Sequence, residues 1–166
     1  MEFGESFSEE INVLFKATMT ANDQLLEAIS NHGLLKDLDP HHLHRLAGLA
    51  LEAYFDRRHV VFHEGDDNGF FYLLVSGSIV LKSGEDVVQI LGPGDALGWS
   101  ALIEGEQKHF QAEALTDVTA LAFDGAELRR ISNAHPDFGY ALLKRLFPVL
   151  VQRLEATRHR TITACA

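Results

Sequence analysis

Cysteine is almost absent from this chain. Cys165, next to the last residue, excludes an internal disulfide and any zinc site built on cysteines. Positive charge is scarce as well: 14 Lys and Arg stand against 24 Asp and Glu, a formal charge of −10. A stand-alone nucleic-acid binder needs a basic face to displace phosphate counterions, so direct transcriptional control is disfavoured. No stretch approaches the roughly 18 uninterrupted apolar residues of a membrane span. The start, Met1-Glu2-Phe3-Gly4-Glu5, lacks the positive-then-apolar order of a signal peptide. There is no Gly-x-Ser-x-Gly elbow and no carboxylate pair that stands out as catalytic, so no enzyme is expected. What remains is 166 residues, 46% hydrophobic and 23% charged, the composition of an ordinary soluble domain, expected in the cytoplasm.

Three zones follow one another. Residues 5 to 58 read as helical, with Phe7, Ile11, Leu14 and Phe15 at helical spacing, then Leu25, Leu26 and Ile29 after the possible cap Asn22. His32-Gly33 reads as a stop, since glycine adopts the left-handed conformation that ends helices. Asp39 is then an N-cap with Pro40 at the first helical position, opening the stripe Leu43, Leu46, Ala47, Ala50 and Leu51. From about 59 to 124 short β-type runs are separated by Gly, Asp and Asn, the texture of a sandwich or closed barrel. Phe70 to Val75 is apolar on both strand faces, so one face is expected to fill the barrel and the other to lie under a helix.

Helix returns at Ala126 to Ile131, with Asp124 or Gly125 near its start, and again from Pro136 to about Arg160. In the longer piece Tyr140, Leu143, Phe147, Leu150, Leu154 and Thr157 alternate by three and four residues, a seam pattern. Phe138, Leu142, Leu146 and Val149 make a second stripe beside it. Two stripes need two burial surfaces: the barrel for one, and a partner helix in a two-fold homodimer for the other. A kink or short break is expected at Pro148, which interrupts the hydrogen-bond ladder.

Glu64-Gly65-Asp66, then Phe71-Tyr72-Leu73-Leu74-Val75-Ser76-Gly77-Ser78-Ile79, then Leu91-Gly92-Pro93-Gly94-Asp95-Ala96-Leu97-Gly98 resembles the cyclic-nucleotide-binding domain family, which includes the sensor half of the catabolite activator protein and the regulatory subunits of protein kinase A. The resemblance covers roughly residues 34 to 160. It implies a mainly β jelly-roll with N-terminal helices and a long C-terminal helix. The organisation expected is a helical extension over 1–33, a β-roll over 34–132, and a dimerisation helix with tail over 133–166, without a DNA-binding domain. The glycines serve first as barrel turns, where positive φ or close backbone approach is needed.

In that family Gly98 would open a ligand cassette. A short helix after it cradles the cyclic phosphate, a Glu next to the glycine takes the ribose hydroxyl, and an Arg about ten residues on neutralises the phosphate. Here the Glu position holds Trp99, and no arginine occurs between Arg58 and Arg129. Lys108 and His109 stand nearest the arginine's place, and bulky Phe110 replaces a small residue. Lysine supplies charge but not a planar fork. The candidate cassette is therefore Gly98, Trp99, Ser100, Ala101, Leu102, Lys108, His109 and Gln111, with Thr157 as a possible contact from the long helix.

Four readings of Trp99 stay open: filling the cavity, packing outside and leaving it open, stacking on a different ligand, or forming a protein-contact hot spot. Lys108 and His109 read as a partly exposed loop pair, or as an anion site with the amides after Gly98 and the Ser100 hydroxyl. His41, His42 and His44 are expected to be exposed. His59 and His63 share a strand face, a weak metal pair that keeps a cupin-like metal enzyme as an alternative. The expectation is a non-catalytic sensor or adaptor that does not hold cAMP in the usual way. The alternative is a regulatory domain for a small anion or unconventional nucleotide. No cofactor is certain, and a homodimer, an unknown protein partner and neither nucleic acid nor membrane are expected.

Overall fold

The structure, a computed structural model, describes residues 22–67 and 69–164, with side chains described up to residue 155. The apolar positions Phe7, Ile11, Leu14 and Phe15, as well as Cys165, lie outside the described residues.

Helix α1 occupies residues 22–31 and stops where expected, but not by a left-handed glycine. Gly33 is not among the positive-φ residues; Asp37 is, at φ 65°. The chain leaves the helix as His32 turns into the core, its Nε2 3.1 Å from the Leu74 carbonyl and its Nδ1 accepting from the Leu34 amide at 3.3 Å. The Nδ1 contact fixes the tautomer with the proton on Nε2, which donates to Leu74. Helix α2 (Pro40–Ala47) begins as its sequence requires: the Asp39 carboxylate accepts from the His41 amide at 2.8 Å, with proline at the first helical position.

Eight strands follow: β1 (Leu51–Phe55), β2 (Val60–Phe62), β3 (Phe70–Ser76), β4 (Ile79–Ser83), β5 (Asp86–Leu91), β6 (Ala96–Leu97), β7 (Gln111–Ala114) and β8 (Val118–Asp124). The helical reading of residues 5 to 58 fails at β1. Leu51 to Phe55 pair antiparallel with Val118 to Ala122 of β8, and Leu51 points to solvent instead of continuing the α2 stripe. Five residues are too few for periodicity to separate strand from helix. One sheet has the order β1-β8-β3-β6 and the other β2-β7-β4-β5, all pairs antiparallel. This is the β jelly-roll expected, with eight strands among the described residues.

Two cores share the first sheet. On β3, Tyr72 and Leu74 point between the sheets toward Ile79, Leu81, Leu91 and Leu97. Phe71 and Leu73 point the other way, onto a helical layer that includes Ile29, Leu46, Leu128, Phe138, Leu142 and Leu146. The two-sided run at 70–75 therefore does what its composition demands, each buried large side chain contributing about 1.5–3 kcal/mol. The helical layer is completed by α3 (Gly125–Ala134), capped by Asp124 accepting from the Glu127 amide, and α4 (Pro136–Ala164).

Both stripes on α4 are present. Phe138, Leu142 and Leu146 are buried against the sheet, whereas Tyr140, Leu143, Phe147, Leu150 and Leu154 face outward, Tyr140 65% and Leu154 72% exposed. The break expected at Pro148 does not occur; the helix runs through it. Pro148 and Lys144, whose carbonyl loses its helical partner, both lie on the exposed side of the helix.

Candidate functional site

After β6 the chain crosses beneath β3. Gly98 adopts φ 81°, and a Cβ there would lie 2.4 Å from the Phe70 carbonyl oxygen, so only glycine fits this crossing. A four-residue 3-10 turn, Trp99–Leu102, comes next. It is too short to sum much dipole. Arg129 of α3 donates to the Ala101 carbonyl and holds the outer side of the turn.

The return loop brings Lys108 inward. Its amide donates to the Asp66 carbonyl at 2.9 Å, and its carbonyl accepts from the Gly65 amide at 2.7 Å. The Glu64-Gly65-Asp66 turn thus clasps the Lys108 backbone from both sides and aims the side chain into the barrel mouth. Only 3% of Lys108 is exposed. Its Nζ donates to the carbonyls of Phe70 at 3.0 Å and Gly98 at 3.2 Å, and it lies 4.9 Å from the centre of the Phe62 ring. Burial pulls the ammonium from an ordinary 10.5 down to about 8. The expectation of a partly exposed loop pair therefore fails for Lys108 and holds for His109, which is exposed and lies 3.3 Å from Glu106. Two strand-end carbonyls and a ring face replace the water that Lys108 gives up.

A cavity of about 290 Å³ opens beside Lys108, lined by β-roll residues including Phe62, Leu81, Val88 and Phe110 and by Leu150, Arg153 and Leu154 of α4. Among the described residues, no Asp or Glu lines it. Ser100 lines it too, its hydroxyl buried and without a hydrogen-bond partner. Such a group costs about 1–3 kcal/mol if nothing satisfies it. A wider hollow of about 660 Å³ lies elsewhere, between α1 and the Pro93-Gly94 turn, and is lined by no lysine or arginine. Charge and an orphaned hydroxyl single out the smaller one.

Trp99 does not fill the cavity: it lines one wall and packs against the helical layer. Its ring meets Phe71 edge-on at 5.3 Å and its Nε1 donates to the Ala96 carbonyl at 3.3 Å. Arg153 lies over its other face, 5.2 Å from the ring centre, and donates to the same Ala96 carbonyl. The cassette candidates divide accordingly. Gly98, Trp99, Ser100, Lys108 and His109 line the cavity, whereas Ala101 and Leu102 pack into the helical core. Gln111 points elsewhere, its Oε1 3.1 Å from His63 Nδ1. The side chain of Thr157 lies outside the described residues.

Arg153 escapes a search confined to residues 59–128, which contain no arginine; this cation reaches the rim from α4. The spacing Leu150, Arg153, Leu154 on one helical face was the available signal. Among the histidines, His41 and His44 are exposed, but His42 is half-buried edge-on to Phe138 at 5.7 Å. His59 stacks on Phe55 at 5.4 Å. Among the described residues no group of three His, Cys, Asp or Glu is placed to hold a metal, and no helix is long and apolar enough to cross a membrane.

Comparison with known proteins agrees with this architecture. The profile of the cyclic nucleotide-binding domain matches residues 52–135. The CRP-like cAMP-activated global transcriptional regulator of Mycobacterium tuberculosis is 25% identical over 138 residues, which cover 80% of this chain and 60% of that protein. A cAMP-dependent protein kinase regulatory subunit from Candida albicans is 26% identical over 127 residues, 76% of this chain and 27% of its own. The chain thus spans less than two thirds of both curated relatives. Among solved structures, a cyclic nucleotide-binding protein from Geobacter metallireducens superposes with a TM-score of 0.71 at 25% identity, covering 77% of this chain and 96% of that one.

Proposed function

The chain belongs to the cyclic nucleotide-binding domain family, and from that premise we propose that it is a non-catalytic regulatory module whose pocket takes a small anion through Lys108 and does not seat cAMP in the family's usual way. One observation carries the reading: a buried lysine and a serine whose buried hydroxyl has no partner line a cavity that has no carboxylate among the described residues lining it. The lysine supports an anion. The absence of an acidic lining residue leaves nothing to accept hydrogen bonds from a ribose hydroxyl in the manner the family's glutamate does. Occupancy works by population shift: a ligand touching both the roll and Leu150 and Leu154 of α4 favours one placement of that helix. The outward stripe of α4 supports a homodimer as the body that presents the change to a protein partner.

Calorimetry and thermal shift with cyclic mono- and dinucleotides test this. Unmodified protein is expected to give no response to cAMP, and Trp99→Glu combined with Lys108→Arg is expected to gain one. Tight cAMP binding by the unmodified chain would overturn the proposal.

A further inference from the structure

The chemistry of the cavity wall narrows the ligand further, and the inference rests on the reading of this cavity as the regulatory site. We propose that its occupant is a small amphipathic carboxylic acid, the carboxylate held by Lys108 Nζ and Ser100 Oγ and the aliphatic or aromatic body lying among Phe62, Val88, Phe110 and Leu150.

Donor arithmetic selects the head group. An ammonium has three hydrogens, and two of those on Lys108 already point at the Phe70 and Gly98 carbonyls. One remains for a ligand. The Ser100 hydroxyl adds one more, and it has no partner. Two donors match the two oxygens of a carboxylate. A phosphate ester brings more acceptor oxygens and up to two charges, which these groups leave underserved beside an apolar wall. Arg153 adds positive field at the rim, with its guanidinium held on Ala96 and Trp99.

Charge balance points the same way. A buried cation without a carboxylate is costly, and a monoanion beside it converts it into a neutral, hydrogen-bonded pair. The remaining wall selects the tail. Besides Gln89, Ser100, Lys108, His109 and Arg153, the described lining side chains are apolar, so a polar body would lose its water without replacement. The volume, about 290 Å³, stands at the lower edge of the range for ligand pockets, about 300–1,000 Å³. It suits a compact acid.

The test is calorimetry on the full chain with octanoate and 4-phenylbutyrate, against octanol, octyl phosphate and a cyclic-dinucleotide panel. The expected result is saturable binding of both acids with none of octanol, which has the same tail and no charge. Lys108→Met is expected to weaken the acids by tenfold or more and Ser100→Ala by about fivefold, while Lys108→Arg retains most of the binding. If Lys108→Met does not fold, Ser100→Ala and the loss of acid binding above about pH 8 take its place. Equal uptake of octanol and acid, or acid binding indifferent to Ser100 and Lys108, overturns the inference. Binding of octyl phosphate or a cyclic dinucleotide without either acid overturns the acid and leaves the pocket an anion site. Silence with every anion overturns both readings.

Discussion

A primary amine surrounded by carbonyls and rings has lost most of its water without gaining a counter-charge, and Lys108 is that case. Its folded-state pKa of about 8 lies below the ordinary 10.5, so folding opposes the charged form. The unfolded chain then binds more protons between those two values, and stability must rise as pH climbs from about 8 to 10.5. The rise is at most ~3 kcal/mol, since each tenfold loss of proton affinity on folding is worth about 1.4 kcal/mol. Denaturant unfolding of the unmodified chain and Lys108→Met across that range should yield a difference curve of this sign. Anion affinity must move oppositely, weakening above about pH 8 as the cation disappears. Glycines supply a second contrast at this scale. Gly77 has φ 81° and an added Cβ would lie 2.2 Å from the Asp117 carbonyl oxygen, whereas Gly65 has φ 86° with nothing within 4 Å. Gly65→Ala is expected to cost only the ~1–2 kcal/mol of a left-handed alanine. Gly77→Ala should cost clearly more, ~3 kcal/mol or above, because backbone must move. Equal losses on chemical denaturation would refute the assignment of Gly77 as a close-approach position.

At the scale of elements, helix α1 depends on one neutral histidine. Burial lowers the pKa of His32 below 6.5, against the smaller opposing pull of its bond to Leu74 and of Asp95. A depressed histidine pKa means that acid costs stability: below about 6.5 the unfolded or undocked helix takes up the proton first. Protection of residues 22–31 against hydrogen exchange, corrected for the intrinsic rate, is expected to fall between pH 7 and 5.5, ahead of the strands, and His32→Gln should flatten that dependence. Unchanged protection of α1 across the interval would place its anchor elsewhere. The same helix marks the reach of sequence reasoning. Composition located the stop at His32-Gly33 but credited the glycine, because a histidine's value as an anchor depends on a carbonyl 42 residues away. Strand β1 was concealed for a related reason: its partner β8 lies across the whole roll. Features set by local chemistry were readable, among them the Asp39-Pro40 start, the turn glycines and the two stripes of α4. The cassette was legible as a set of types, with Lys108 near the arginine's place. Its inward aim was not, since that comes from the clasp by Gly65 and Asp66.

For the molecule as a whole, the outward stripe of α4 and the net charge of −10 pull against each other. Tyr140, Leu143 and Phe147 offer apolar area that a second copy would cover, yet two copies carry like charge. Salt screens the repulsion, with a Debye length near 10 Å at 0.1 M, and leaves apolar burial intact. The proposed dimer is therefore expected to tighten as NaCl rises from about 20 to 200 mM, the reverse of an assembly held by ion pairs. Phe147→Glu removes the centre of the stripe without touching the cavity and should yield monomers in sedimentation at both salts. Leu150 and Leu154 belong to both features, lining the cavity and standing in the stripe. An occupant that fixes their position must alter the dimer constant, and dimerisation must alter its affinity by the same factor. Sedimentation with and without a saturating ligand, paired with calorimetry on Phe147→Glu, measures the two sides of that equality. Dimers indifferent to both salt and occupancy would mean that the helix and the pocket are neighbours without being coupled.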